Sequence, residues 1–120
     1  MQFDFETFAK LAERAYNEDV PSMDGFTLAE ALDVFRRYFQ EYERCRGEPH
    51  PPIRLEQIRA IMEEMPGVMD GHDRYIDLDP EDYPAMIERH FHTRYRHCDY
   101  NINHFFSGRV REMRYYETCY

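Results

Sequence analysis

The chain has 120 residues, of which 42% are hydrophobic and 16% aromatic, so we expect one domain with a buried core over residues 1–120. The net charge of −9 disfavours nonspecific binding to nucleic acid or to anionic lipid. No apolar run approaches the roughly 20 residues of a membrane-spanning helix, and the acidic first residues lack the basic and apolar regions of a secretory signal.

The three cysteines, Cys45, Cys98 and Cys119, are odd in number and lie far apart in the chain. This usage is typical of a reducing compartment and not of a disulfide-bonded scaffold. We therefore expect a soluble, cytoplasmic protein that has no membrane partner.

The first predicted helix begins after Asp4, which is a capping residue, and continues to about Asn17. Its apolar face contains Phe5, Phe8, Leu11, Ala12, Ala15 and Tyr16. A loop is predicted from residue 17 to residue 25, because Val20-Pro21 does not continue a helix.

The most complete local pattern runs from Thr27 to Gly47. Thr27 and Glu30 have the spacing of a capping box, in which each side chain binds a main-chain amide of the first turn. Apolar residues then recur at steps of four and three: Leu28, Leu32, Phe35, Phe39 and Tyr42, with Ala31, Val34 and Tyr38 beside them. Gly47 is suited to a left-handed helix end. We expect this helix to serve the core within one chain and not a coiled coil.

Later helices are predicted from shorter patterns. A third helix carries Leu55, Ile58, Ile61, Met62 and Met65 and ends at Pro66-Gly67. Asp70-Gly71 is a turn signal and residues 75–78 alternate apolar and polar, so the sequence allows a short β-hairpin around residues 68–78.

The last third of the chain begins with a helix entry at residues 79–82, where Pro84 can delay the regular helix. Its buried face contains Met86, Ile87, Phe91 and Tyr95, and the helix reaches about Arg96. Asp99 or Asn101 caps a short turn through Phe106. Residues 109–116 are compatible with helix or strand, although steps of three favour helix. The predicted fold class is mainly α, a compact bundle of four to five helices with the hairpin allowed.

No pattern in the sequence indicates catalysis. We find no glycine-rich phosphate loop, nucleophile elbow or kinase signature, and carboxylate pairs arise by chance in a chain with 24 acidic residues. We expect no enzymatic activity, no catalytic residue and no cofactor. One alternative is a metal-binding protein using the segment 90–104, in which His90, His97, Cys98 and His104 are chemically suited to zinc. Their spacing fits a zinc site poorly, so our main prediction contains no metal ligands.

The charge distribution indicates where a partner binds. Residues 1–88 carry a net charge of −12, whereas residues 89–120 hold six arginines against three acids, with aromatic residues between them. Arginine and tyrosine are favoured anchors at protein interfaces. The predicted partner-binding residues are Arg94, Tyr95, Arg96, Tyr100, Arg109, Arg111 and Arg114.

The main functional hypothesis is a small, non-enzymatic interaction or regulatory module that binds a protein partner or a second copy of itself through this basic, aromatic C-terminal segment. A nucleic-acid-binding accessory protein with a winged-helix-like arrangement is an alternative, because arginines bind phosphate and aromatic rings stack on bases. Two other arrangements remain open: the aromatic rings complete the core under the arginine stems, or the basic segment docks on the acidic part of the same chain.

Overall fold

The computed structural model describes residues 4–19, 26–69, 71–95 and 98–119. Of the loop predicted over residues 17–25, residues 17–19 belong to the first helix instead, and residues 20–25 lie outside the described ranges. The fold is mainly helical, at 66%, as the sequence predicts, and it includes the small hairpin that the sequence allows. Six helices are present in the described ranges, where four to five were predicted. The elements are α1 (Phe5–Asp19), α2 (Leu28–Arg46), α3 (Leu55–Glu64), β1 (Gly67–Met69), β2 (Tyr75–Asp77), α4 (Tyr83–His92), α5 (Ile102–Phe105) and α6 (Gly108–Thr118). The helix α5 was predicted only as a capped turn.

The start and the end of helix α2 are determined by local capping interactions. At the start, the Glu30 amide donates to Thr27 Oγ1 at 3.1 Å, and the Thr27 amide donates to Glu30 Oε1 at 2.9 Å, so the predicted capping box is formed. At the end, Gly47 has a φ of 75° and its amide donates to the Glu43 carbonyl at 2.9 Å. Most of the predicted apolar stripe is buried, including Phe35 and Tyr38, whereas Leu28 and Leu32 are partly buried.

The core forms where other helices cover that stripe. Helix α1 packs against α2 and α3, while α4 packs against α2 on one side and α6 on the other. Between α1 and α2, the ring of Phe8 lies 4.8 Å from that of Phe35 and 5.0 Å from that of Phe39, both edge to face. Edge-to-face contacts are a favoured arrangement of aromatic rings in cores.

The hairpin has one buried face and one exposed face. Val68 pairs with Ile76, and both face the protein, whereas Met69 pairs with Tyr75 on the opposite, exposed face. The Leu78 amide donates to the Pro66 carbonyl at 2.8 Å. Because hydrogen-bonded and non-hydrogen-bonded pairs alternate along an antiparallel ladder, Val68 and Ile76 are also a hydrogen-bonded pair.

Helix α4 differs from its predicted extent, and the last helix resolves an alternative that the sequence left open. Helix α4 begins after a 3₁₀ turn (Pro80–Asp82) and ends at His92, earlier than the predicted Arg96, because Thr93 is extended and its hydroxyl donates to the Arg89 carbonyl. Residues 108–118 form a helix, whereas the sequence pattern of residues 109–116 was compatible with either a helix or a strand. None of the described helices is both long and apolar enough to cross a membrane.

The left-handed end of α2 gives a first test. Gly47→Ala is expected to lower the free energy of unfolding by about 1 kcal/mol, because a Cβ atom disfavours positive φ. No atom lies within 4 Å of that Cβ, so the cost reports the backbone conformation alone. Gly71→Ala is the matched control, since its Cβ meets only ordinary contacts, beginning at 3.6 Å from Arg109 Nη1. Urea unfolding measures both variants, and equal effects would contradict this assignment.

Candidate interaction surface

Arg111 is buried inside the protein, with only 2% of its surface exposed. Its Nη1 donates to the Glu64 carbonyl at the end of α3 and to the Tyr83 hydroxyl at 3.3 Å, and its Nη2 donates to the Gly67 carbonyl at 2.9 Å. The guanidinium group also lies 5.2 Å from the Phe106 ring centroid. Arg111 therefore joins α6 to α3, β1 and α4.

Arg114, one helical turn further along α6, is also 2% exposed. Its Nη1 donates to the Thr93 hydroxyl and its Nη2 donates to the Tyr95 hydroxyl at 2.8 Å. Its Nε lies 3.2 Å from Glu117 Oε1, an ion pair within α6. Arg114 holds the chain that leaves α4 against α6.

The prediction that all seven C-terminal residues form one exposed binding surface is therefore wrong for Arg111 and Arg114. Both project from the face of α6 that packs on α4 and β1, so their charged groups bind carbonyl and hydroxyl groups instead of a partner. Arg94 and Arg109 are exposed, and Arg96 lies outside the described ranges. A partner-binding role for the exposed arginines stays a prediction.

The two predicted tyrosines are half-buried and take part in the fold. The Tyr100 hydroxyl donates to the Thr93 carbonyl and accepts from the Tyr95 amide at 3.3 Å. The Tyr100 carbonyl accepts from the Tyr38 hydroxyl on α2 at 2.6 Å. Their hydroxyl groups therefore have partners within the chain.

The histidine- and cysteine-rich segment contains one close pair. Cys98 Sγ lies 3.3 Å from His104 Nδ1, and the His104 ring centroid lies 5.3 Å from that of His90. Among the described residues, no three His, Cys, Asp or Glu side chains converge as a metal ion requires, and His97 is not one of those residues. The described residues of this segment therefore offer no ligand set for the alternative of a metal-binding protein.

Two histidines, His50 and His90, are buried in the interior. His50 Nδ1 donates to the Pro51 carbonyl at 2.7 Å, so Nε2 is left to accept from the Ile102 amide at 3.0 Å, and burial lowers the pKa of His50. Neither ring nitrogen of His90 has a hydrogen-bond partner among the described residues. Burial, together with the nearby His104 and Arg114, lowers the pKa of His90 to about 3.

An open groove of about 470 Å³ separates α2 from the 3₁₀ turn and the start of α4. Its lining includes charges of both signs, among them Asp33, Arg37 and Glu81. Asp33 already pairs with Arg36 at 2.7 Å. Ligand sites are mostly apolar with a few convergent polar groups, and this charged groove lacks that character.

The exposed apolar side chains identify a different surface from the predicted one. In the described ranges the large hydrophobic residues that are exposed are Met69 (54%), Tyr75 (59%), Met113 (43%) and Tyr116 (40%). The first two lie on the outer face of the hairpin, and the last two lie on α6. We call these four residues together with Arg109 the hairpin–α6 surface.

The two parts of this surface are in contact with each other. At the hairpin turn, the Gly71 amide donates to Glu112 Oε1 on α6 at 3.1 Å. Beneath the surface, Arg111 joins α6 to Gly67 of β1. Residues 109, 113 and 116 follow helical spacing, so Arg109, Met113 and Tyr116 share one face of α6.

The sequence pattern alone indicates part of the hairpin–α6 surface. The alternation over residues 75–78 already places Tyr75 and Ile76 on opposite faces of a strand. Once the inner face of α6 is known, helical steps of three and four place Met113 and Tyr116 on a different face from Arg111 and Arg114. The inner face itself was not predictable, because both faces of α6 mix charged and apolar residues.

Comparison with known proteins gives one short similarity. A 44-residue stretch of the chain is 43% identical to part of glutamyl-tRNA reductase from Methanoculleus marisnigri, covering 37% of this chain and 10% of that protein. The chain thus matches only about a tenth of the length of that curated relative. No family model matches the chain. No solved structure matches it either.

The buried guanidinium group gives a second test. Arg111→Lys is expected to lower the free energy of unfolding by about 2 kcal/mol, because one ammonium group does not reproduce the planar fork that reaches two carbonyls and a hydroxyl. Arg109→Lys is the matched control on the same helix, and a change within about 0.5 kcal/mol is expected there. Urea unfolding at constant pH measures both, and a neutral Arg111→Lys variant would show that these bonds contribute little.

A third test concerns acid stability. The pKa of His90 in the folded protein, about 3, lies below its ordinary value of 6.5, so its contribution to stability is complete above 6.5 and is lost as pH falls towards 3. Within that window the contribution changes by about 1.4 kcal/mol per pH unit. His90→Phe is expected to weaken the fall in unfolding free energy between about pH 7 and about pH 5, with His50 supplying the remainder.

His92→Phe is the control for that experiment, since His92 is exposed on the same helix. Urea unfolding at each pH gives the free energies. An unchanged pH dependence in His90→Phe would rule out His90 as a source of acid sensitivity.

Proposed function

We propose that this protein is a small, non-enzymatic interaction module that binds a protein partner through the hairpin–α6 surface. One observation carries the proposal: in the described ranges, the four exposed large hydrophobic side chains all lie on two elements that touch each other. Isolated exposed hydrophobic residues are normal on protein surfaces, whereas grouped ones mark interaction sites.

The chemistry of the surface supports a protein partner. Tyrosine, methionine and arginine are enriched at protein interfaces. Tyr75 offers a ring with a hydroxyl group, and the Arg109 side chain is 83% exposed beside the apolar residues of α6. The surface is also held in place, because Arg111 joins both of its elements from below. Binding to a preorganised surface avoids part of the entropy cost of association.

The alternative of a nucleic-acid-binding protein has less support. Two of the arginines on which it depended, Arg111 and Arg114, bind groups inside the protein and are not available to phosphate. The net charge of −9 opposes approach to a polyanion. We therefore do not propose this function.

The similarity to glutamyl-tRNA reductase does not alter the proposal. It covers 44 residues, a tenth of that protein. The activity named for a whole protein does not follow from so short a stretch, since function depends on a complete site.

Site-specific photocrosslinking tests the proposed function. Benzoylphenylalanine at position 113 is expected to give covalent adducts with a protein, identified by mass spectrometry, in the cells that produce this chain. The same probe at Glu13 is the control, because Glu13 is exposed on α1, which packs on α2 and α3. Tyr75→Asp in the position-113 protein is expected to lower the adduct yield about tenfold, as removing an interface anchor typically does.

Two results would overturn the proposed function. One is the same set of adducts from positions 13 and 113. The other is an adduct at position 113 that consists of nucleic acid.

A further inference from the structure

The sulfur atom of Cys98 has two polar partners within the chain. The Tyr100 amide donates to Sγ at 3.2 Å, and Sγ lies 3.3 Å from His104 Nδ1. A thiol that donates to Nδ1 requires the tautomer of His104 whose proton is on Nε2. An amide and an imidazole beside one sulfur activate it as a nucleophile, because the amide stabilises negative charge on the sulfur and the imidazole accepts the thiol proton.

Contacts with other parts of the chain hold both partners of the sulfur in place. Tyr100 has a φ of 57°, which is unfavourable for a residue with a Cβ atom. Its hydroxyl donates to the Thr93 carbonyl, and its carbonyl accepts from the Tyr38 hydroxyl at 2.6 Å. The His104 ring packs edge to face against the Tyr95 ring, with 4.7 Å between the centroids. The donor and the proton acceptor are therefore positioned by the fold, and local strain of this kind is concentrated at functional sites.

A buried histidine without hydrogen bonds lies against this pair. His90 is 0% exposed, and neither of its ring nitrogens has a hydrogen-bond partner among the described residues. Its ring centroid lies 5.3 Å from that of His104 and 5.6 Å from that of Tyr100, so it is next to both residues that contact the sulfur. Buried polar atoms without partners are uncommon, and redox or catalytic sites are among the places where proteins keep them. His90 thus supports a reactive site at Cys98 independently of the sulfur contacts.

The other half-buried cysteine has different surroundings. Cys119 Sγ donates to the Asp82 carbonyl at 3.7 Å, and burial raises the pKa of Cys119. Both effects keep the proton on sulfur, and a protonated thiol is a poor nucleophile. Cys45 differs in the other respect, because it is exposed. The chain therefore contains two internal controls for Cys98, one that is also half-buried and one that is more accessible.

We propose that Cys98 is a site of reversible oxidation by hydrogen peroxide, with His104 as the group that accepts and returns the thiol proton. The sulfur attacks one peroxide oxygen, so that an S–O bond forms as the O–O bond breaks. His104 takes the thiol proton and gives it to the leaving hydroxide, which becomes water. The sulfur loses two electrons and the peroxide gains them, and the products are the sulfenic acid of Cys98 and one molecule of water.

Hydrogen peroxide fits the surroundings of the sulfur because it is small and uncharged. Cys98 is half-buried, and the aromatic rings of Tyr95 and His90 pack against His104. A charged oxidant would lose its hydration there at a high cost. A small thiol reverses the modification: it displaces water from the sulfenic acid to give a mixed disulfide, which a second thiol then reduces.

This site is separate from the hairpin–α6 surface, and the two have no residue in common. Oxidation of Cys98 is a stoichiometric modification of the chain. Either proposal can therefore hold without the other.

Dimedone labelling of the purified, reduced full chain tests the proposal. Dimedone forms a stable thioether with a sulfenic acid, and peptide mass spectrometry assigns the label to one cysteine. At limiting hydrogen peroxide, Cys98 is expected to be labelled at least about tenfold faster than Cys45 or Cys119, although Cys45 is more exposed. Dithiothreitol added after the peroxide and before dimedone is expected to abolish the label, because it reduces the sulfenic acid to the thiol.

A variant removes the proton acceptor and keeps the packing. His104→Phe retains an aromatic ring beside Tyr95 but has no Nδ1, so labelling of Cys98 is expected to slow at least about tenfold. His92→Phe is the matched control, since His92 is exposed on α4, and wild-type labelling is expected there. Circular dichroism checks that both variants are folded. The comparison among the three cysteines of the wild type does not depend on any variant.

The proposal fails on any of three results. Equal labelling of the three cysteines, or fastest labelling of Cys45, means that its surroundings do not activate Cys98. A folded His104→Phe variant with wild-type labelling of Cys98 removes His104 from the reaction. Oxidation of Cys98 that dithiothreitol does not reverse identifies a higher oxide and contradicts a reversible modification. None of these results changes what photocrosslinking at position 113 shows about the proposed function.

Discussion

The structure depends on the burial of the Arg111 guanidinium group. Among the described residues it has no carboxylate partner: the carbonyl groups of Glu64 and Gly67, the Tyr83 hydroxyl and the Phe106 ring surround it. A buried charge is costly unless polar groups replace its hydration shell, and these acceptors come from α3, β1 and α4. The position of α6 therefore depends on contacts with three other elements.

Because of these contacts, the basic C-terminal segment does not form a single exposed surface. Arg111 and Arg114 are oriented towards the interior, and Arg114 binds the Thr93 and Tyr95 hydroxyls where the chain leaves α4. Their positive charges therefore contribute little to the outer surface. On the outer side of α6, Arg109, Met113 and Tyr116 are exposed.

The buried rings of His50, Tyr38 and Tyr83 also join elements of the core through hydrogen bonds. His50, in the connection between α2 and α3, accepts from the Ile102 amide and so fixes the start of α5. The Tyr38 hydroxyl on α2 donates to the Tyr100 carbonyl, where Tyr100 has a φ of 57°. Burial raises the pKa of both Tyr38 and Tyr83, with that of Tyr83 at about 12, so both hydroxyls remain protonated donors at neutral pH. These neutral groups satisfy main-chain carbonyls where no regular ladder reaches them.

The sequence alone determined the elements whose causes are local. The Thr27–Glu30 capping box, the stripe on α2 and the helix end at Gly47 all depend on neighbours within one or two turns, and each was predicted at its observed position. The turn signal at Asp70-Gly71 and the alternation at residues 75–78 allowed the hairpin that the structure contains. Which face of α6 is buried depends on contacts with α3, β1 and α4 that are distant in the chain. Arginine side chains are usually exposed, so the residue type alone predicted that Arg111 and Arg114 lie on the surface. Only the tertiary structure, by supplying carbonyl and hydroxyl acceptors from separate elements, decided that these two cations lie inside and that Met113 and Tyr116 lie outside.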